Sequence, residues 1–557
     1  MTGGHDTNPA GIRAIADEFH HEWLTRHPFL AMDDGIPGYD HLVPDLSGAA
    51  DRDFRSRLLD LADRARAAAA PPGPDSVTRQ VVLSAIEREL DFIAVGAVEY
   101  TVSAVGEQGP SALLTAGART RLSSPGDAQA YLARCAEFPR YLREHATRLQ
   151  AGAEQGRTPV ASLVRVALDQ VGRYLADRDG DVLADVPPPA GWSGARNWSD
   201  RIRALVADEV RPALAQWHDA VARLPARADT ECGLYHLPGG LDAYGRLVKA
   251  HTTVDRAVAD IHDLGLTEVA ALTAQMTALG KELGLHGFPA VVQAFAASAA
   301  GVGAEEAMAQ ARVAIHRAEA ALADLFSAPL PPPCEVAAMP VHLGQTGHAP
   351  HYTSPRLDGS AKGVFWFNAQ HPETGSGWAL EALAFHEAVP GHHLQLSRAQ
   401  LLGDLPDLQR YGSVTAHCEG WALYAEKLAE EAGLYSSTEA RLGALGLRLF
   451  RAARLVVDTG IHALGWSRAQ ATTWLTRTVP LPAAFAEAEI ARYIAVPAQA
   501  LSYTIGMHEL LRLRDKADTG SGPARSLRDF HAAVLDHGSV PLPLLADIVE
   551  EGGHSTR

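Results

Sequence analysis

A mainly α fold carrying one small sheet is what this sequence predicts, and three observations predict it. Apolar residues recur three and four apart, with charges on the opposite face, through most of the first 330 residues. β-branched and aromatic runs are confined to a stretch after Cys334, where Gly, Pro and Asp bound them. Helical periodicity then resumes, and it resumes in the segment richest in reactive side chains.

Taken in order, GIRAIADEFHHEWL, SVTRQVVLSAIERELDFIAVGAVEY and AEEAMAQARVAIHRAEAALADLF are rich in Ala, Leu, Arg and Glu, all good helix formers. Breaks fall at PPGP (71–74), VPPPAGW (186–192) and LPPPCE (330–335), where proline removes backbone donors and fixes φ. The last break divides the chain into a helical region, 1–330, and a region, 331–557, that carries the chemistry. In the second region EVAAMPVHLG, HAPHYTSPRL and GVFWFNAQ read as three short strands. SGWALEALAFHEAV, VTAHCEGWALYAEKLAEEAG, SSTEARLGALGLRLFRAARLVVDTGIHAL and SRAQATTWLTRTV follow as helices.

Composition narrows the function classes. The chain has 557 residues, and 49 Lys+Arg against 66 Asp+Glu give a formal charge of −17. Such an acidic balance leaves no footprint for nucleic acid or an anionic membrane. With 47% hydrophobic and 21% charged residues, a packed globular chain is expected rather than a disordered one. Cys135, Cys232, Cys334 and Cys418 are widely spaced without a CxxC pair, which argues against a disulfide scaffold or thiolate zinc site. The N-terminus lacks a basic segment followed by an apolar one, and no run approaches the ~20 apolar residues that span a bilayer. The expectation is a soluble cytoplasmic protein.

Residues 385–396 read FHEAVPGHHLQL, with three histidines and a glutamate within eight residues. In an HExxH helix, histidines at i and i+4 share a face and bind zinc, and the glutamate between them is general base. Here His386 is followed late by His392 and His393. On an unbroken helix His386 and His393 would stand about 10 Å apart along the axis, too far for ~2.1 Å bonds to one ion. Pro390 cannot donate to the carbonyl of His386 and Gly391 tolerates unusual dihedrals, so a local bulge would bring His392 into the i+4 place. Either His392 or His393 is the second ligand on this reading. Downstream, Glu419 and Glu426 lie seven apart, two turns along one helix face. Glu419 would supply the third ligand of an open zinc site, and Glu426 would accept the outer N–H of a ligating histidine.

HEAVPGHHLQ, EGWALYAEKLAEEAGLY, RAARLVVDTGIHALGWSRAQA and RYIAVPAQALSYTIGMHELLRLR, in this order, resemble the DUF885 family of bacterial metallopeptidase-like proteins. The resemblance is densest from Tyr352 to Arg514; the N-terminal half shares only texture, including GYDHLVPDLS. More distantly the layout is similar to gluzincin peptidases, the oligopeptidase and angiotensin-converting-enzyme groups, which carry HExGH, and the dipeptidyl peptidase III type, which carries HExxGH. HEAVPGH extends that series by one residue and favours His392. The Glu419–Glu426 spacing matches the oligopeptidase group. The resemblance implies a large helical metallopeptidase-like fold, with the small sheet beside the metal-binding helix and a central cleft, one wall of which is the 1–330 region.

It also implies a function: zinc-dependent hydrolysis of peptide or peptide-like amide bonds in small substrates, such as short peptides or acylated amino acids, with Glu387 as general base. Tyr503 sits where related peptidases bring in an oxyanion donor. Arg492, Tyr493 and Gln499 are expected to bind the substrate's carboxylate and amide, Arg492 through its fork. His462 is a candidate outer partner, and Asn368, ending the strand GVFWFN, a candidate for the substrate backbone. The bland alternatives are a buried Tyr503, an ion pair of Arg492 with Glu487 or Glu489, and a core pair of His462 with Asp458. Two other functions use the same motifs: an amidase dedicated to an aminoacyl conjugate of a biosynthetic pathway, and a metal-free binding protein on a peptidase fold.

Overall fold

In the computed structural model, residues 11–551 are described apart from 105–107, 178, 342–348, 358, 481 and 520–525. Residues 1–10, part of the N-terminal segment read above, the end of EVAAMPVHLG (342–344) and His348 at the start of HAPHYTSPRL lie outside the described residues. The three periodic runs fold as helices Ile12–Arg26, Pro74–Val95 and Ala304–Leu325. Ile12, Ile15, Ala16 and Phe19 form the buried stripe of the first, as the three-and-four spacing requires. Pro74 stands in the first turn of the second, where a missing N–H costs nothing, and Gly96 closes it in the left-handed region at φ 59°.

The fold is mainly α, with one three-stranded sheet. Its strands are β1 (Glu335–Ala338), β2 (His351–Thr353) and β3 (Val364–Phe367). The order is β1-β3-β2, with β1 parallel to β3 and β2 antiparallel to it. Phe365 and Phe367 are wholly buried and anchor the sheet in the core. The largest cluster of buried apolar side chains runs from Ile12 to Val549 and draws on both sides of residue 330. A second cluster, from Val43 to Val221, gives the intervening helices a core of their own. Among the described residues, no helix is long and apolar enough to cross a membrane.

Five helices frame the chemistry. The first histidine helix is Leu380–Glu387 and the second is His392–Leu401. The glutamate helix is Thr415–Glu431, the long helix Thr438–Ala463, and the tyrosine helix Ser502–Thr519. The glutamate and tyrosine helices cross backbone to backbone. A Cβ on Gly420 would lie 2.5 Å from the Gly506 Cα, and one on Gly506 would lie 2.0 Å from the Ala416 carbonyl oxygen. That close approach sets Tyr503 beside Glu419.

The second histidine helix is tied down by Arg398, which is 1% exposed. Its guanidinium donates to Asp536 (2.9 Å from Nε), to the Ser327 carbonyl (2.5 Å) and to the Pro329 carbonyl (2.7 Å). Hydrogen bonds from a charged donor are each worth about 1.5–3 kcal/mol, and Asp536 is partly screened by water. Arg398→Ala is therefore expected to lower stability by about 2–3 kcal/mol, measurable by urea unfolding. A loss under 0.5 kcal/mol would show that this clamp does not hold the helix.

Candidate metal centre

The expected bulge inside one helix is a full break. The helix begun at Leu380 stops at Glu387, and the chain turns through Ala388–Gly391 before His392 opens the next helix. Pro390 has no N–H to continue the ladder. Gly391 is pressed so closely on the first helix that a Cβ there would meet the His386 carbonyl oxygen at 1.9 Å. Trp421 Nε1 donates to the Pro390 carbonyl at 2.9 Å and pins the turn to the glutamate helix. This turn places His392, and not His393, opposite His386.

His386, His392 and Glu419 converge. One donor atom from each lies within 4.8 Å of the others. Glu419 Oε2 is 3.7 Å from His386 Nε2 and 3.4 Å from His392 Nε2, and the two rings meet edge to face at 4.8 Å. Donors bound at about 2.1 Å to one ion and at tetrahedral angles stand about 3.4 Å apart, so these separations fit a single ion of zinc's size. Glu419 Oε2 is buried and makes no hydrogen bond, an orphaned acceptor facing two imidazole nitrogens. Burial by itself would raise the Glu419 pKa, yet His386 and His392 facing it hold the carboxyl well below its usual range. Burial pulls His392 down, and the neighbouring Cys418 and Glu419 push it well above the usual histidine value.

The surroundings orient the donors. The His386 Nδ1–H donates to Glu426 Oε1 at 2.9 Å, which leaves Nε2 free to face Glu419. Glu426 is fully buried and pairs with Arg451 Nη1 at 3.3 Å. Burial would raise the Glu426 pKa, but Arg451 and His386 keep it below the ordinary value. Glu387 follows His386, is 7% exposed, and has no hydrogen bond or ion pair among the described residues. Tyr503 is partly buried, with the Arg454 guanidinium 4.5 Å over its ring. Burial first, and the Glu419 charge beside it, raise the Tyr503 pKa, so its hydroxyl keeps its proton.

Other expected site residues are engaged elsewhere. His393 donates from Nε2 to the Pro332 carbonyl at 2.6 Å and accepts at Nδ1 from the Tyr352 hydroxyl at 2.9 Å, so it links β2 and the segment before β1. It turns away because consecutive helical residues point about 100° apart. His462 accepts from the Leu234 N–H at 3.1 Å and donates to the Tyr493 carbonyl at 3.0 Å, and burial pushes its pKa down to about 3. It is a neutral core histidine whose two ring nitrogens are both engaged there. Its expected partner Asp458 instead accepts from the Tyr244 hydroxyl and the Ala498 N–H. Asn368 Oδ1 accepts from the backbone N–H groups of Gln370 and His371, closing a turn after β3.

Arg492 forms the ion pair that was its bland alternative. Its fork meets Glu489 at 3.0 and 2.9 Å, and Nη1 donates to Gln499 Oε1 at 2.7 Å. Tyr493 donates to the same Glu489 at 2.6 Å and accepts from Arg454 Nε at 3.0 Å. Arg492, Tyr493 and Gln499 thus satisfy one another around Glu489. Burial would raise the Glu489 pKa, but Arg492 and Arg454 outweigh it and hold the carboxyl down at about 2. A depressed folded pKa contributes stability that is full above the unfolded value near 4.5 and lost as pH falls toward about 2. The shift corresponds to about 3 kcal/mol. Glu489→Gln is expected to lose about that much at pH 7 in urea unfolding, with the gap to wild type closing below pH 4. A gap that is constant with pH would disprove the linkage.

Sequence reasoning missed Arg451 and Arg454. Their signal was present in the run LRLFRAARLVV, where Arg448, Arg451 and Arg454 recur every three residues in a helix buried almost throughout. Each finds a carboxylate: Glu430 at 2.7 Å, Glu426 at 3.3 Å and Glu489 at 3.1 Å. Among the described residues, a hollow of about 220 Å³ beside Leu30, Leu46 and Tyr141 lies apart from the three donors.

Solved structures share the fold. The crystal structure of a candidate lipoprotein from Colwellia psychrerythraea superposes with a TM-score of 0.89 at 24% identity, covering 98% of this chain and 99% of that one. A candidate lipoprotein of unknown function from Shewanella oneidensis superposes with a TM-score of 0.75 at 16% identity, covering 97% and 100%. No curated protein matches the chain. The chain belongs to DUF885, a family of bacterial proteins of unknown function, whose model matches residues 28–549.

Proposed function

We propose that this protein is a zinc-dependent hydrolase that cleaves peptide or peptide-like amide bonds in small substrates, on a metallopeptidase-like fold. One observation carries the reading: His386, His392 and Glu419 bring one donor atom each within 4.8 Å of the others, with Glu419 Oε2 at 3.7 and 3.4 Å from the two imidazole nitrogens and lacking a hydrogen bond. Two imidazoles and a carboxylate are the donor set of open catalytic zinc sites. Zinc held there would polarise a carbonyl and lower the pKa of water.

The chain's own groups divide the remaining work. Glu387, adjacent to His386 and without a competing partner, takes the proton of the attacking water and returns it to the leaving amine. Tyr503, kept protonated by burial and by Glu419, donates to the oxyanion as the carbonyl becomes tetrahedral. Glu426, backed by Arg451, fixes the tautomer of His386. The donors keep only 3, 11 and 18% side-chain exposure, which suits short peptides and acylated amino acids and excludes folded proteins. Because Arg492 is occupied by Glu489 and Gln499, a preference for a free carboxylate does not rest on it.

The setting we propose is the cytoplasm, since Cys135, Cys232, Cys334 and Cys418 are all free thiols. The two solved neighbours are described as candidate lipoproteins, so cell fractionation decides between cytoplasm and envelope. The function is tested by elemental analysis of the purified protein with assays on di- and tripeptides and N-acyl amino acids. About one zinc per chain and chelator-sensitive hydrolysis are expected. A protein without first-row metal, whose hydrolysis survives a chelator, would overturn the proposal.

A further inference from the structure

The two histidines of the cluster are held by different partners on their outer nitrogens. Glu426 accepts from His386 Nδ1 at 2.9 Å, while the Arg451 guanidinium stands 3.3 Å from the same nitrogen. His392 Nδ1 instead faces Cys418 Sγ at 3.4 Å. Cys418 is a free, partly buried thiol one residue before Glu419, so one turn of the glutamate helix flanks His392 on both sides.

The same contacts show what each ring nitrogen of His392 meets. Its Nε2 lies 3.4 Å from Glu419 Oε2, yet that oxygen makes no hydrogen bond. In the ligating tautomer the ring's proton stands on Nδ1, where the sulfur can accept it, and the Nε2 lone pair is turned to the point shared with His386 and Glu419. We propose that Cys418 is a positioning residue for His392, its sulfur accepting the Nδ1–H so that Nε2 is presented to the metal. The inference rests on the zinc reading above. A thiol also donates, so Cys418, unlike a carboxylate, is compatible with either tautomer of His392. Glu426, closer to Nδ1 than Arg451 is, favours the ligating tautomer of His386, and Cys418 holds His392 less strictly.

The test is zinc affinity, read by competition with a chromophoric chelator, for wild type and the variants Cys418→Ala and Cys418→Asn. Loss of an outer partner weakens metal binding by about 10–100-fold, and sulfur is a weak acceptor, so about tenfold is expected for Cys418→Ala. Cys418→Asn, which supplies a neutral carbonyl acceptor, is expected within about threefold of wild type. Circular dichroism and the unfolding temperature of the zinc-free proteins report whether each variant folds as wild type does. Equal affinity of wild type and Cys418→Ala would overturn the role of Cys418 alone. An affinity of Cys418→Asn as low as that of Cys418→Ala would also overturn it, since the loss would then be one of packing. A wild type that takes up no zinc would remove the metal reading itself, and this role with it.

Discussion

Glu387→Gln is expected to keep zinc at wild-type stoichiometry while turnover of a short peptide or N-acyl amino acid falls by about 10²–10⁴-fold. The amide is nearly isosteric with the carboxylate and cannot take a proton. Glu387 makes no hydrogen bond or ion pair among the described residues, so the fold loses little by the change. The paired measurements are metal content and kcat on one substrate. Full activity in Glu387→Gln would dismiss it as general base, and loss of zinc would show that it acts as a ligand or supports one.

Glu419→Ala is expected to abolish tight zinc binding. It leaves His386 and His392 as the two remaining donors and removes the one whose oxygen both nitrogens face. Binding to the folded state stabilises it by RT ln(1 + [L]/Kd), about 4 kcal/mol when zinc is a thousandfold above its Kd. Added zinc should therefore raise the unfolding temperature of wild type and leave that of Glu419→Ala unchanged. A variant that still gains stability from stoichiometric zinc would show that the ion sits elsewhere.

How far the sequence carried the fold depended on the range of the forces involved. The helices at Ile12–Arg26, Pro74–Val95, Thr415–Glu431 and Thr438–Ala463 were legible because apolar periodicity and helix propensity are local properties. The short sheet was legible from β-branched and aromatic runs, although its β1-β3-β2 order, which sets the first and last strands side by side, was not. Such pairing is a long-range choice that no local pattern encodes.

The donor types were likewise legible. His386, Glu419 and Glu426 were identified from residue type and spacing, because seven residues on a helix return to the same face. His392 and His393 were not separable from residue spacing alone. Their difference arises at the Ala388–Gly391 turn, whose direction is fixed by the Trp421 bond to Pro390 and the packing of Gly391 on His386. Arg492 shows the opposite failure. Its partner Glu489 was visible three residues away, but the guanidinium's choice between that carboxylate and a substrate is made by burial with Arg454 and Tyr493.

By itself, then, the sequence determined a mainly helical chain with one small sheet and a histidine-and-glutamate donor set on successive helices. Only the tertiary structure decided which histidine faces His386, that Arg451 backs Glu426, that Cys418 faces His392, and that Arg492 and His462 are satisfied internally. The physical reason is that residue type and helical spacing fix which side chains share a face. Which nitrogen meets which oxygen is fixed by helix crossings as close as Gly420 on Gly506, between segments some eighty residues apart.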